Sequence, residues 1–592
     1  MQHESKTHML TYNLELRGTT SVYDYLYQLI RDDIAHGIIP RNTKLPSKRA
    51  LAQHLGIGVA TVAAAYEQLV TEGFVRAEQR RGFFVEDVSR YRSRSVTDKD
   101  ALGARDLAAG AGRGALSAAR ANVVSGAGAG STADSGSTAS ARAATHGGAT
   151  GAASPTPAAA STATAAESAY DQNFFVDMKA NRAGIDLFPT SVWARYMREA
   201  LALPAHKLLQ PVPFNGLPEL RCAIASYLRR ARGMCVSPES IIIGAGSEYL
   251  YGRLLQMMGP ATTFAMENPG YKKFAAISQS YGNPWVSVPI DDAGMIVDAL
   301  EDSGADVAHV SAANHFPTGV VMPITRRLEL FEWAGRARKR FIIEDDYDSE
   351  FRYTGRPIMP LFADDAAGKV IYLNAFSKTM MPSLRISYLV LPERLMERYL
   401  DTMSFYACTV SSIEQYALAR FIDEGHLERH INRMRTFYRN QRTSVLKAVE
   451  ASPLASVSAV EERNAGTHFL LRVKTALSEQ EVRRRGGAAG LNISMLSDYR
   501  FGENEGVPVW RRRQAARGGR KTAACENDAA AGREAACERE GGREPVECGE
   551  GATGCEDERS LTIVVNYAGI SPDRVEESIR RLASIFPECT NR

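Results

Sequence analysis

The chain has 592 residues, 44% hydrophobic and 23% charged, with 71 Lys and Arg against 68 Asp and Glu for a formal net charge of +3. That length exceeds one hydrophobic core and asks for two or three domains, while near-neutrality excludes a molecule-wide affinity for polyanions, so any nucleic-acid contact must be local. Eight cysteines are too sparse for a disulfide scaffold, and no stretch resembles a signal peptide or a membrane span, so a cytoplasmic protein with reduced thiols and no membrane partner is expected.

The first unit reads as helices followed by a hairpin. Val22, Tyr25, Leu26, Leu29, Ile30 and Ile34 recur at helical spacing between Ser21 and His36, and Gly37 ends the run. Ser47 is placed to cap a helix over Lys48 to Leu55, Gly56 turns the chain, and a helix over Val59 to Glu72 carries Val62, Tyr66 and Leu69 on one face. Two helices about a tight turn suggest helix-turn-helix, and Phe74 to Val85 reads as two strands around a basic turn, a wing. Core packing accounts for the apolar residues but not for Arg41, Lys44, Lys48, Arg49, Arg76, Arg80 and Arg81 in so small a unit; phosphate contact does.

These segments, LPSKRALAQHLG, TVAAAYEQLVTEGFV and RRGFFV in that order, resemble the GntR-type winged helix over residues 19–88. The resemblance implies a double-stranded DNA operator as partner, contacted by Lys48, Arg49, Thr61, Arg80, Arg81 and Gly82, with Arg49 on a phosphate. Gly58-Val59 stands where the family often has Ser-Arg, which removes one common base or phosphate contact.

Residues 89–172 collapse into Ala, Gly, Ser and Thr with dispersed Arg, the composition of a disordered linker. A flexible coil of that length spans roughly 50 Å end to end. The flanking units therefore need not touch through a fixed joint.

Residues 173–590 alternate strand-like runs with amphipathic segments, the pattern of a parallel α/β sheet. Ile241 to Glu248 passes from a strand through a glycine turn into a helix whose first amides, at Ser247 and Glu248, can cradle a phosphate. Tyr271, after another strand, offers a ring for stacking, and Asn314 and His315 open a turn as hydrogen-bonding groups. The run Arg340 to Ile343 leads into Glu344-Asp-Asp-Tyr-Asp-Ser-Glu-Phe351, where Asp345 can keep a pyridine nitrogen protonated and Tyr347 can sit near a ring oxygen. After the run Val370 to Leu373 come Ser377, Lys378 and Arg385: an amine able to bond to an aldehyde, beside a hydroxyl and a guanidinium suited to a phosphate.

EDDYDSEF followed by FSKTMMPSLRISYLVLP resembles the fold-type I aminotransferases, and among them the MocR/GabR-type regulators. The resemblance implies pyridoxal 5'-phosphate bound covalently at Lys378, the catalytic residue of the family. Around it would lie Asp345, Tyr347, Arg385, Ser377, Tyr271, Ser247, Glu248, Asn314 and His315, in a homodimer with its sites at the interface. Glu248 replaces the usual glutamine, and Asn314-His315 replace His-Gln. Lys273 sits where a related regulator uses a carboxylate-binding arginine.

Residues 501–560 read as a disordered insert whose Cys525, Cys537, Cys548 and Cys555 lack the close pairs that zinc requires, so no metal is expected. Leu561 to Tyr567 resumes a strand and Pro572 to Ile585 a helix, closing a small C-terminal α/β subdomain. Aminotransferases of this fold commonly hold the substrate carboxylate with an arginine on that strand, and the matching position is Val564. The whole reads as a winged helix, a linker and an aminotransferase-like domain of mostly parallel sheet: a transcriptional regulator that senses pyridoxal phosphate or an amine. The alternative is a working aminotransferase with a DNA-binding appendage, against which the missing arginine argues, since a bidentate guanidinium is hard to replace.

Overall fold

The structure, a computed structural model, describes residues 10–18, 20–88, 174–179, 187–502 and 560–587. Nearly all of the expected linker and insert, with the four insert cysteines, lies outside the described residues. Among the described residues no helix is long and apolar enough to cross a membrane.

The first unit follows its local signals. Helix α1 (Val22–Ala35) buries Leu26 and Ile30. Helix α2 (Lys48–Leu55) is capped by Ser47, whose Oγ accepts from the Ala50 amide at 3.1 Å, and stops at left-handed Gly56. Helix α3 (Val59–Thr71) packs Val62, Tyr66 and Leu69 against them. Strands β1 (Val75–Glu78) and β2 (Gly82–Val85) pair antiparallel as the wing, with Arg80 left-handed at its tip.

In the second unit, after the short β3 (Val176–Asp177), eight strands form one sheet: β4 (Ile241–Gly244), β5 (Phe264–Asn268), β6 (Trp285–Asp291), β7 (Gly294–Met295), β8 (Val307–Val310), β9 (Phe341–Asp345), β10 (Val370–Ala375) and β11 (Ser387–Val390). Their spatial order is β4-β11-β10-β9-β8-β5-β6-β7. The run β10-β9-β8-β5-β6 is parallel, and β11 opposes both of its neighbours. Tyr372 joins one apolar cluster and Ile371 and Leu373 another, so both faces are covered, which is why these strands read as unbroken apolar runs. Register Leu373↔Asp345 sets the end of β9 beside β10, and the Lys378 turn follows directly. The chemistry thus gathers at the carboxyl edge of the parallel strands, where open α/β sheets bind ligands.

A smaller sheet of β12 (Ser458–Glu461), β13 (His468–Lys474), β15 (Ser494–Met495) and β16 (Ser560–Asn566) runs β12-β13-β16-β15, while β14 (Leu491–Asn492) pairs with β3. The expected last helix is a 3-10 turn, Pro572–Arg574, followed by the α-helix Val575–Ala583.

The two units, which the length of the chain between them leaves free not to touch, do meet. Ile324, at the start of helix Ile324–Gly335, enters the winged-helix core, and its amide donates to the Glu72 carbonyl at 2.8 Å. Arg356 forms an ion pair with Asp24 at 2.9 Å, and its amide donates to Gln68 Oε1 at 3.2 Å. Whatever the length of chain between them, complementary surfaces hold the units together.

Candidate cofactor site and nucleic-acid face

Lys378 lies on the short helix Phe376–Thr379, one turn past β10. Its Nζ stands 4.3 Å from the centre of the Tyr347 ring. The residue as a whole is half-buried, yet its amine is packed deeply enough that desolvation, outweighing the pull of Asp348 and Asp345, holds it below the ordinary lysine range. An amine so depressed is more often neutral and so more nucleophilic.

Asp345 ends β9 and is anchored from the side. Tyr251 Oη donates to Asp345 Oδ2 at 2.7 Å and lies 2.9 Å from His309 Nε2, which is 3.7 Å from the same carboxylate oxygen. Because the phenol donates to Asp345, its oxygen accepts from His309, which assigns the imidazole proton to Nε2. Burial, reinforced by Asp345, keeps the Tyr251 phenol well above its usual range.

Below the lysine, Asn314 Nδ2 donates to both oxygens of Asp348 at 2.9 Å and lies 3.4 Å from Tyr347 Oη. Burial pushes Asp348 up to about 7 despite Lys378 and Asn314, which lower it. His315 turns to the loop and core: Nδ1 is 2.7 Å from Thr318 Oγ1 and Nε2 is 3.5 Å from Glu267 Oε2. Desolvation drops His315 to about 3 and raises Glu267 to about 8, so at neutral pH the imidazole is neutral and the carboxyl largely protonated.

At the mouth, Ser247 and Glu248 begin helix Ser247–Met258. A Cβ on Gly246 would come within 2.5 Å of Arg385 Nη2, so glycine is needed for the guanidinium to lie against that turn. Lys273 donates to Glu248 at 2.7 Å, the chief reason the Glu248 carboxyl falls below its ordinary range, and Arg385 stands 3.9 Å from the same oxygen. The acid at 248 therefore sits between two cations, and Lys273 is engaged by it. Tyr271 is half-buried at the start of helix Lys272–Ser280, and Ser377 is half-buried beside Lys378.

On β16, Ile563 and Val565 enter the small-domain core, whereas buried Val564 is absent from it and pairs in register with Leu470. His468, opposite Asn566 on β13, lies 3.0 Å from the Pro317 carbonyl through Nε2. Burial, with Lys378 adding to it, lowers His468 to about 4. Sequence reading missed Tyr251, His309, Asp348 and His468. Only the acidic run Glu344 to Phe351, which contains Asp348, hinted at any of them.

On the winged helix, Lys44, Lys48, Arg80, Arg81, Gly82 and Phe83 line a concave surface of about 650 Å³ between α2 and the wing. Arg41 is paired with Asp87, Arg76 with Glu78 and Glu86, and Arg81 with Glu78. Lys48, Arg49 and Arg80 have no acidic partner among the described residues. Arg49 is exposed, Thr61 is half-exposed near the start of α3, and Lys48 Nζ lies 5.1 Å from the Phe83 ring. The basic residues are thus divided between structural ion pairs and a smaller set open to phosphate.

The family model for aminotransferase class I and II matches residues 175–485, and that for bacterial regulatory proteins of the gntR family matches residues 22–85. The chain is 32% identical over 480 residues to the uncharacterized HTH-type transcriptional regulator YdeL of Bacillus subtilis, covering 80% of this chain and 89% of that one. It is 29% identical over 492 residues to the probable rhizopine catabolism regulatory protein MocR of Rhizobium meliloti, covering 82% and 89%. An archaeal alanine:glyoxylate aminotransferase superposes with a TM-score of 0.56 at 21% identity, over 72% of this chain and 94% of its own, a likeness of fold. Fold and site together define a class: DNA-binding transcriptional regulators whose second half has the fold-type I aminotransferase architecture. Within it, the chain belongs to the aminotransferase class I and II family and to the MocR-type helix-turn-helix regulators that carry a gntR unit.

Proposed function

We propose that the aminotransferase-like half senses pyridoxal phosphate, or an amine acting on it, and that this state governs operator binding by the winged helix. One observation carries the reading: a desolvated lysine amine stands over Tyr347, beside an aspartate fixed by Tyr251, in a chain that also bears a DNA-binding unit. The residues fit the cofactor. Lys378 would bind its aldehyde carbon, Asp345 would hold the pyridine nitrogen protonated, and Tyr347 and Asn314 would face the ring oxygen. Tyr271 would stack on the ring, and Ser247, Ser377 and Arg385 would hold the phosphate, with Glu248 neutralised by Lys273 and His315 supporting the turn. When bound, the cofactor supplies an electron-withdrawing pyridinium.

We assign residues 19–88 to DNA binding and 173–590 to sensing, with operator contacts from Lys48, Arg49, Thr61, Arg80, Arg81 and Gly82. We place the protein in solution as a homodimer, whose two winged helices would meet two half-sites. Docked readers fix the half-site spacing that loose ones would leave free.

Turnover is proposed to be slow or undetectable with ordinary α-amino acids. The strand position for a carboxylate-binding arginine holds Val564, and Lys273 is committed to Glu248. The effector is then pyridoxal phosphate itself or an amine that needs no carboxylate clamp. Steady-state assays across a panel of amino donors, with borohydride trapping to locate the cofactor, test this. The expected result is a reducible adduct on Lys378 without turnover. Rates in the range of about 1–10³ per second typical of enzymes would favour the working aminotransferase instead.

A further inference from the structure

The strand that lacks the carboxylate-binding arginine shows a second face. Side chains alternate along β13 and β16: Phe469, Leu471, Ile563 and Val565 enter the small-domain core, so His468, Leu470 and Val564 point the other way. Leu470 and Val564, both buried, face each other in register, and buried Ser494 of β15 pairs with Val564 on its far side. This face turns to the cofactor site, since the charge of Lys378 acts on His468, whose Nε2 donates to the Pro317 carbonyl at 3.0 Å.

An aromatic wall joins that face to the lysine. The Phe316 ring stands 6.1 Å from the Tyr347 ring over which Lys378 Nζ lies, 5.3 Å from His468 and 4.8 Å from Tyr499, edge-on to each. Tyr499 is fastened at both ends: its hydroxyl lies 2.9 Å from Ser494 Oγ, and its carbonyl accepts from the Gly270 amide at 2.9 Å, next to Tyr271. Phe316 and Tyr499 are half-buried, which leaves ring surface for a ligand to cover. Asp498, 3.4 Å from Ser494 Oγ, is held by Arg483 through two bonds of 2.7 and 2.8 Å. His468, lowered to about 4, is uncharged at neutral pH. Phe316, His468, Leu470, Ser494, Tyr499 and Val564 therefore present rings, alkyl groups and hydroxyls, and no charge.

Such a wall rejects a carboxylate and accepts an apolar group. An ionised group desolvated without a partner loses more than its contacts return, whereas a phenyl or alkyl group gains from the area it buries and from edge-to-face packing. We propose that this wall receives the substituent of the effector, and that the effector is a primary amine bearing an uncharged aromatic or alkyl group. The inference rests on the proposed function and narrows its choice of effector. The amine forms its bond to the cofactor's aldehyde carbon as Lys378 Nζ leaves that carbon, and the two protons the amine gives up end on Nζ.

Titration of the cofactor-loaded full chain with amines, followed by the visible absorbance of the bound cofactor, tests it. Phenethylamine should act at concentrations about tenfold or more below those needed for phenylalanine, which adds a carboxylate, and for putrescine, which adds a second ammonium. Methylamine gives the response to an amine with almost no substituent to bury. Phe316→Ala should lower the preference for phenethylamine over methylamine by about fivefold or more, and Tyr499→Ala replaces it in the comparison should Phe316→Ala fail to fold. Phenylalanine or putrescine equal to phenethylamine in the wild type would overturn the proposal, as would an unchanged preference in the folded variant. Cofactor trapped on Lys378 by borohydride but indifferent to every amine would overturn it and leave pyridoxal phosphate as the effector. A wild type that shows no cofactor absorbance overturns the proposed function and the proposal with it.

Discussion

Tyr251→Phe isolates the support behind Asp345. The change removes one hydroxyl and leaves the ring, whose centre lies 4.3 Å from that of Phe274, so the core keeps its shape. What is lost is the hydrogen bond to Asp345 Oδ2 at 2.7 Å and the acceptor for His309 Nε2 at 2.9 Å. His309 is 3.7 Å from the carboxylate, too far to take over without moving. A hydrogen bond to a charged group contributes about 1.5–3 kcal/mol, and each 1.4 kcal/mol is about tenfold in affinity. If Asp345 must be held to meet the pyridine nitrogen, pyridoxal phosphate should bind roughly tenfold to a hundredfold more weakly. Titration of cofactor-free protein, followed by the visible absorbance of the bound cofactor, measures this, with thermal unfolding as the check on folding. Since Tyr251 acts through Asp345, the pH dependence of that absorbance should also shift, which mere loss of packing would not cause. An affinity within twofold of wild type, with an unmoved pH profile, would refute the role.

Arg49→Ala should weaken binding to selected and random DNA alike and make the salt dependence shallower by about one phosphate contact, measured by titrations at several salt concentrations. Lost discrimination at an unchanged slope would put Arg49 on a base edge. Glu267→Gln tests the buried carboxyl raised to about 8. Its folded pKa lies above the ordinary carboxyl value of 4.5, so its share of stability is fully present below that value and is lost as pH rises through about 8. Denaturant unfolding should show wild type losing stability relative to Glu267→Gln across that window, by up to about 1.4 kcal/mol per pH unit. A pH-independent difference would contradict the assignment.

The winged helix was legible almost to the residue because its signals are local. Ser47 caps α2, Gly56 ends it, and the apolar face of α3 repeats at helical spacing. Lys378, Asp345 and Arg385 were legible because each follows an apolar strand that had to be buried. The support around them was not, because it is assembled across the chain: Tyr251 and Asp345 are 94 residues apart, and His309 comes from a third element. His468 reads as an ordinary residue at the start of a strand until the register with β16 brings it opposite Asn566. The contact between the two units was the least legible of all. Gln68 looks like a solvent-facing position on α3, yet it is buried, with Gly355 against it and the Arg356 amide bonded to it.

The central claim is that the cofactor site and the DNA face are energetically linked, and operator affinity measures that link most directly. The full-length protein would be titrated onto the DNA it selects from a random pool, with pyridoxal phosphate removed and then restored, beside Lys378→Ala. Coupling of about 1–3 kcal/mol predicts a roughly fivefold to 150-fold change in wild-type affinity on restoring the cofactor, and none in Lys378→Ala. Equal wild-type affinities with and without bound cofactor would contradict the account.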